Sequence, residues 1–160
     1  MKASDLMTAP AVTVDVTATA FEAALRIEEE AVGCVLVTDG GRLCGILTDR
    51  DLAVRGLAQG KHLGLPVAEL MSAPVVTVEA DHELDAVYRT FRRNDVRRLP
   101  VLEDGRPIGI LTVDDLLRDV AERLSDLLIP VSHSALREGT RDPVTVEPVP
   151  GRRDARQAPS

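Results

Sequence analysis

The chain writes one phrase twice. GILTDRDL at positions 45–52 returns 64 residues later as GILTVDDL at 109–116, and DLMTAPAVTV at 5–14 returns as ELMSAPVVTV at 69–78 in the same alignment, without a gap. The identities cluster: seven fall within 6–14 and eight within 41–52, while none falls between 15 and 31. A repeat of this length in 160 residues constrains the fold first, because each copy is one supersecondary unit that cannot bury its apolar face alone. Two like units must pack on each other.

Local patterns supply the elements of each copy. AVTV and VVTV are short β-branched runs after a proline and read as strands. In the second copy Asp81 stands at a helix cap, and Leu84, Val87, Tyr88 and Phe91 follow at the spacing of one helical face. In the first copy Thr17 takes the cap position, with Ala20, Ala23, Ala24 and Ile27 as a slimmer face. The runs VGCVLV and VRRLPV lead into the glycine turns DGGR and EDGR, and LCGIL and PIGIL return from them. Thr48 and Thr112 open the last helices, with acidic residues in the first turn where the helix dipole favours them.

Each copy therefore reads β-α-β-β-α, giving an α/β fold of the α+β kind, with two pseudo-symmetric repeats packed as one module. The expected division is 1–64 for the first repeat with its linker, 65–129 for the second, and 130–160 for a proline-rich tail without regular structure. Within that tail DPVTVEPVP is the one stretch suited to dock as an extended strand.

Charge and composition narrow the function. With 26 acidic against 19 basic residues the formal charge is −7, and two Phe, one Tyr and no Trp leave little to stack on bases. Both features argue against nucleic acid and anionic membrane as partners. The N-terminus lacks an apolar signal core and no run of about 18 apolar residues occurs, so the chain is expected to be cytoplasmic, with no membrane span. If Gly40 and Gly41 centre a two-residue hairpin turn, Val37 pairs with Cys44 and Cys34 with Leu47, placing the two thiols on opposite faces. A disulfide is not expected. His62, His82 and His133 show no metal-ligand spacing with each other or with the cysteines, so no metal is expected.

Taken together, the LM(T/S)APxVTV opening, the VRRLPV…DGRPIGILT hairpin and the GILTxxDL ending resemble the tandem repeat of cystathionine-β-synthase-type (CBS) domains, here as a stand-alone pair spanning residues 1 to about 128. The resemblance implies two clefts between the repeats that bind adenosine-containing ligands such as AMP, ADP, ATP or S-adenosylmethionine, with no cofactor required. In this arrangement Asp51 and Asp115 accept hydrogen bonds from ribose hydroxyls, Thr48 and Thr112 sit where phosphate oxygens approach, and Ile46 and Ile110 contact adenine. The cleft served by Asp115 is completed by Ala11, Val12, Val32, Gly33 and Cys34, and that served by Asp51 by Val75, Val76 and Val96. Arg97 and Arg98 stand where some relatives meet phosphate. The matching first-copy positions are Gly33 and Cys34, so the two clefts should differ in phosphate affinity.

Residue chemistry leaves a second use for each of these. Asp and Thr at a helix start are what N-capping alone selects, an isoleucine on a strand is ordinary core, and Arg97 and Arg98 equally suit a solvated surface. No phosphate-loop lysine motif or nucleophile elbow is present, so no catalytic role is expected. Glu28, Glu29 and Glu30 end the first-copy helix, and Arg89, Arg92 and Arg93 lie on its counterpart. Three carboxylates at a helix C-terminus need basic neighbours. The resemblance implies dimerisation through these helices, and setting acidic copy against basic copy then predicts an antiparallel homodimer. The leading reading is a regulatory sensor read by an effector protein, with a ligand-independent interaction or scaffold module as the rival.

Overall fold

The computed structural model describes residues 1–138, with side chains described to residue 130. The apolar runs before the two glycine turns become the middle strands of two separate sheets. Strand β2 (Cys34–Asp39) lies between β1 (Thr13–Asp15), parallel to it, and β3 (Arg42–Thr48), antiparallel. In the second copy β5 (Arg98–Glu103) lies likewise between β4 (Val78–Glu79) and β6 (Arg106–Thr112). Parallel neighbours require a crossover, which α2 (Ala20–Glu29) and α4 (Leu84–Asn94) provide. Each copy thus has the expected β-α-β-β-α order, preceded by α1 (Ala3–Leu6) in the first and a 3-10 turn, Val67–Glu69, in the second.

Both hairpins turn on two residues at positive φ, Gly40 and Gly41 in one and Asp104 and Gly105 in the other, as a tight twisted hairpin demands. Beyond the turn the expected register is corrected. It shifts between Val37 and Thr38, so that Val37 opposes Gly45 and Cys34 opposes Thr48. A bulge is the cause: Cys44 is an extra, unopposed residue, and its Sγ donates to the Val37 carbonyl at 3.4 Å. The same shift falls between Val101 and Leu102. Both cysteines are free thiols; Cys34 is buried and Cys44 borders the first core.

The helix caps lie two residues later than their sequence positions implied. A β-turn intervenes first, closed by Ala18 N to Asp15 O at 2.9 Å and by His82 N to Glu79 O at 3.1 Å. Thr17 serves that turn by donating its N–H and hydroxyl to Asp15. Thr19 is the N-cap of α2 in a reciprocal box with Glu22, and Glu83, not Asp81, holds the cap position of α4. The buried faces are those expected, Ala20 and Ala23 on α2, Val87 and Phe91 on α4; Tyr88 is exposed.

The two last helices diverge. Thr48 caps α3 (Asp49–Asp51), which passes into a π segment, Leu52–Gly56, and a 3-10 segment, Leu57–Gln59, before Gly60 ends it in the left-handed region. Thr112 precedes α5 (Val113–Glu138), which runs through Pro130, past the expected break. A proline lacks one N–H and strains the ladder there, yet the helix continues to Glu138. Residues Met1–Glu122 form one compact unit, and those from Arg123 belong to a second. The stretch DPVTVEPVP lies outside the described residues.

Two cores result, and neither follows the division at residue 64. The first packs Val14, Val35, Val37 and Leu47 with Leu65, Val67 and Leu70, and the second packs Val78, Val87, Leu99 and Leu111 with Ala3. Each copy lends its N-terminal arm to the other. Thr8 and Ile110 exchange both backbone hydrogen bonds at 2.8 and 3.0 Å, and Ser72 and Ile46 do the same at 2.9 and 3.1 Å. Glycine gives room beside these bridges: a Cβ on Gly45 would displace the Met71 side chain, and one on Gly109 would stand 2.8 Å from the Thr8 backbone carbonyl, where only glycine fits.

Leu70 is fully buried in the first core although the second copy supplies it. Leu70→Ala is expected to cost about 2–5 kcal/mol, read as a lowered urea midpoint. The Thr19 N–H and hydroxyl hold the Glu22 carboxyl below its ordinary range. A depressed folded pKa contributes stability above the unfolded value and loses it as pH falls through the folded one. Thr19→Ala should therefore destabilise at pH 7, with the difference narrowing as the carboxylates protonate, measured by thermal melts across pH 3 to 7.

Candidate functional site

The arm that crosses between copies builds one wall of a cleft. Residues 8–12 run beside β6, tied by the Thr8–Ile110 bridge and by Ala11 N to Ile108 O at 3.1 Å, and Leu36 N reaches the Val12 carbonyl at 2.9 Å. Between them opens a cavity of about 460 Å³. Ala11, Val12, Val32, Gly33 and Cys34 from the first copy meet Ile110 and Thr112 from the second around it, so seven residues proposed for one cleft converge there. Thr8, Ala9, Pro10 and Leu36 complete the apolar side.

Its charged groups are Arg26, Glu30 and Arg98. Arg26 and Glu30 lie one turn apart on α2 and at its end, and form an ion pair at 2.9 Å. This pair also supplies the basic neighbour that the acidic helix end requires. Arg98, paired with Thr112 across β5 and β6, lies with its Nη2 3.2 Å from where a Cβ on Gly33 would stand. Arg98 and its sequence counterpart Cys34 thus share one wall. Burial pushes the Cys34 thiol up, Arg98 opposes this in part, and Asp49 adds to it; the thiol stays protonated at neutral pH.

The two Thr-x-x-Asp corners are capping boxes. Thr112 donates its N–H at 2.8 Å and its hydroxyl at 2.6 Å to Asp115 Oδ2, and Asp115 N–H returns a bond to Thr112 Oγ1 at 3.2 Å. Thr48 and Asp51 repeat this at 3.0, 2.9 and 3.1 Å. The second carboxylate oxygens face Arg118 at 3.4 Å and Arg55 at 3.6 Å. A hydroxyl has one proton, and here it is spent on the carboxylate. Neither threonine has a donor left for phosphate while its box is closed, and each aspartate offers a ribose only Oδ1. Asp115 is not on the cleft wall itself.

Of the set proposed for the other cleft, Val75 lines a recess of about 260 Å³ with Leu43, Cys44, Pro74, Thr77 and Leu102, and Val76 and Val96 pack against the second core. Ile46 is engaged with Ser72, and Arg97 gives its carbonyl to Val113 N at 3.1 Å. Arg26 and Glu30 were not singled out as cleft residues from sequence, because they fall where the copies share no identity. Helical spacing was the available signal: Arg26 follows buried Ala23 by three positions. Among the described residues no group of three or more His, Cys, Asp or Glu is placed to hold a metal ion, and no helix is long and apolar enough to cross a membrane.

The CBS domain profile matches residues 3–56 and 67–122. The CBS domain-containing protein YhcV of Bacillus subtilis is 36% identical over 112 residues, covering 70% of this chain and 80% of that protein. Hypoxic response protein 1 of Mycobacterium tuberculosis is 33% identical over 122 residues, covering 75% and 85%. A crystal structure of Hypoxic Response Protein I with two coordinated zinc ions superposes with a TM-score of 0.67 at 32% identity, over 74% of this chain and 98% of that one. The CBS domain pair of protein MJ0100, in complex with 5′-methylthioadenosine and S-adenosyl-L-methionine, gives 0.69 at 27% identity, over 77% and 98%. With a profile match in both copies and two sheets cross-linked through their arms, the chain belongs to the CBS domain family, as a tandem CBS pair.

Proposed function

We propose that the protein is a regulatory sensor that holds an adenosine-containing ligand, AMP, ADP, ATP or S-adenosylmethionine, in the cleft between its two CBS repeats. One observation carries this reading: the cleft has walls from both copies, Val12 and Cys34 on one side, Ile110 and Thr112 on the other. An occupant that touches both copies favours one relative packing over another, and such differential affinity is what a ligand needs to shift a conformational equilibrium. The adenosine ligands of the MJ0100 pair support the choice of ligand class. The apolar side suits a base, and Asp115 Oδ1 remains an acceptor for a ribose hydroxyl. The role is binding and relay to an effector protein in the cytoplasm, with no turnover and no required cofactor.

The rival reading is a ligand-independent interaction module, and it too has an observation in its favour: both Thr-x-x-Asp corners are fully used as caps. A thermal-shift series with AMP, ADP, ATP and S-adenosylmethionine separates the two. The sensor reading expects a rise of several degrees in melting temperature at large ligand excess, and slower alkylation of Cys34, which lines the cleft. Asp115→Ala should lower the melting temperature of the free protein and shrink the ligand-induced rise. No shift with any compound, and unchanged Cys34 labelling, would leave the interaction module.

Assembly is part of the proposal. Glu28 and Glu29 are exposed at the end of α2, and Arg92 and Arg93 are exposed at the end of α4. An antiparallel homodimer sets the acidic helix of one subunit against the basic helix of the other. Sedimentation of Arg92→Glu/Arg93→Glu should show a weakened dimer, and restored assembly when mixed with a variant carrying Glu28→Arg/Glu29→Arg.

A further inference from the structure

The two arms that tie the copies together are not held equally. Counting 64 residues onward, Thr8 corresponds to Ser72, Ala11 to Val75 and Val12 to Val76. The first arm is bonded along its length: after the Thr8–Ile110 bridge, Ala11 N–H reaches the Ile108 carbonyl at 3.1 Å, and Leu36 N–H reaches the Val12 carbonyl at 2.9 Å. The second arm makes the Ser72–Ile46 bridge and then lets go. Among the described residues neither Val75 nor Val76 makes a backbone hydrogen bond before β4 begins at Val78.

Proline is one cause. Pro100 stands where the first copy has Leu36, and it has no N–H to give the Val76 carbonyl. The parallel pairing that starts at Thr13 and Leu36 in the first copy therefore starts one residue later in the second, at Val78 and Val101. On the arm's other side, Val75 and Cys44 are the counterparts of Ala11 and Ile108, and instead of closing on each other they line the recess of about 260 Å³.

We propose that residues 73–77 are a strap that opens away from β3 and β5, so that the two repeats part on this side and hinge on the fully bonded arm at residues 8–12. Opening the first arm breaks four backbone bonds, and opening the second breaks two. A segment with fewer bonds to lose opens at lower free energy, and its unpaired backbone groups gain water when it does. This asymmetry fixes which junction yields when the relative packing of the repeats changes, whatever the cleft holds.

Amide hydrogen exchange of the full chain, read residue by residue, tests this. The two bridges are alike in length, so a rigid module protects them alike. The strap predicts protection factors at Ile46 and Ser72 about tenfold or more below those at Ile110 and Thr8. Pro100→Ala and Pro100→Val each return the missing N–H and should narrow this gap to within about threefold. The gap is a ratio within one molecule, so a general loss of stability does not imitate it, and the wild-type comparison stands even where a variant fails to fold. Alkylation of Cys44 with iodoacetamide gives a second reading: it should slow in both variants while the Cys34 rate stays unchanged. Equal protection of the two bridges in the wild type overturns the strap, as does a gap and a Cys44 rate that neither variant alters.

Discussion

The exchange of N-terminal arms holds the module together. A three-stranded sheet with its helices on one side leaves its other face and one strand edge in need of partners. Here β6 finds Thr8 and β3 finds Ser72, each through a reciprocal pair of backbone bonds. Apolar residues at the start of one copy then complete the core of the other. Gly109 is a steric condition for that exchange, since a Cβ there would meet the Thr8 backbone carbonyl, and Gly45 leaves room for the Met71 side chain. Much of the identity between the copies lies in the arms and in the strands that receive them.

The cleft is a by-product of the same exchange. The arm that bonds to β6 passes between the two copies, and the cavity opens between that arm, the start of β2 and the end of β6. Its apolar side is therefore tied to the structural repeat, while its polar side draws on α2 and the start of β5, where the copies have diverged. This division separates what every occupant must fit from what distinguishes one occupant from another. The hydroxyl and carboxylate of the repeated GILTxxDL phrase serve first as helix caps, which explains why they recur in both copies whatever either cleft holds.

The element order, the buried faces of α2 and α4 and the resemblance to a CBS pair were legible from periodicity and from the repeat, because those depend on local patterns of apolar residues. Seven of the residues assigned to one cleft line the same cavity, a grouping that the resemblance to a pseudo-symmetric pair implied. The caps were misplaced by two residues because a β-turn after each first strand leaves no periodic trace. The hairpin register was misjudged by one because a bulge is chosen by tertiary contact: Cys44 and Ile108 are set aside so that Gly45 and Gly109 can face the methionine arms.

By itself the sequence determined that two like units exist, which strands and helices each contains, and that both must bury a face against something. These are consequences of spacing along one chain. Only the tertiary structure decided that the arms are exchanged, that Arg98 crosses to the wall of Gly33 and Cys34, and that Arg26 is already neutralised by Glu30. Each of these turns on space left or filled by residues distant in sequence. A missing Cβ at Gly33 matters only once another copy's arginine is there to occupy its place.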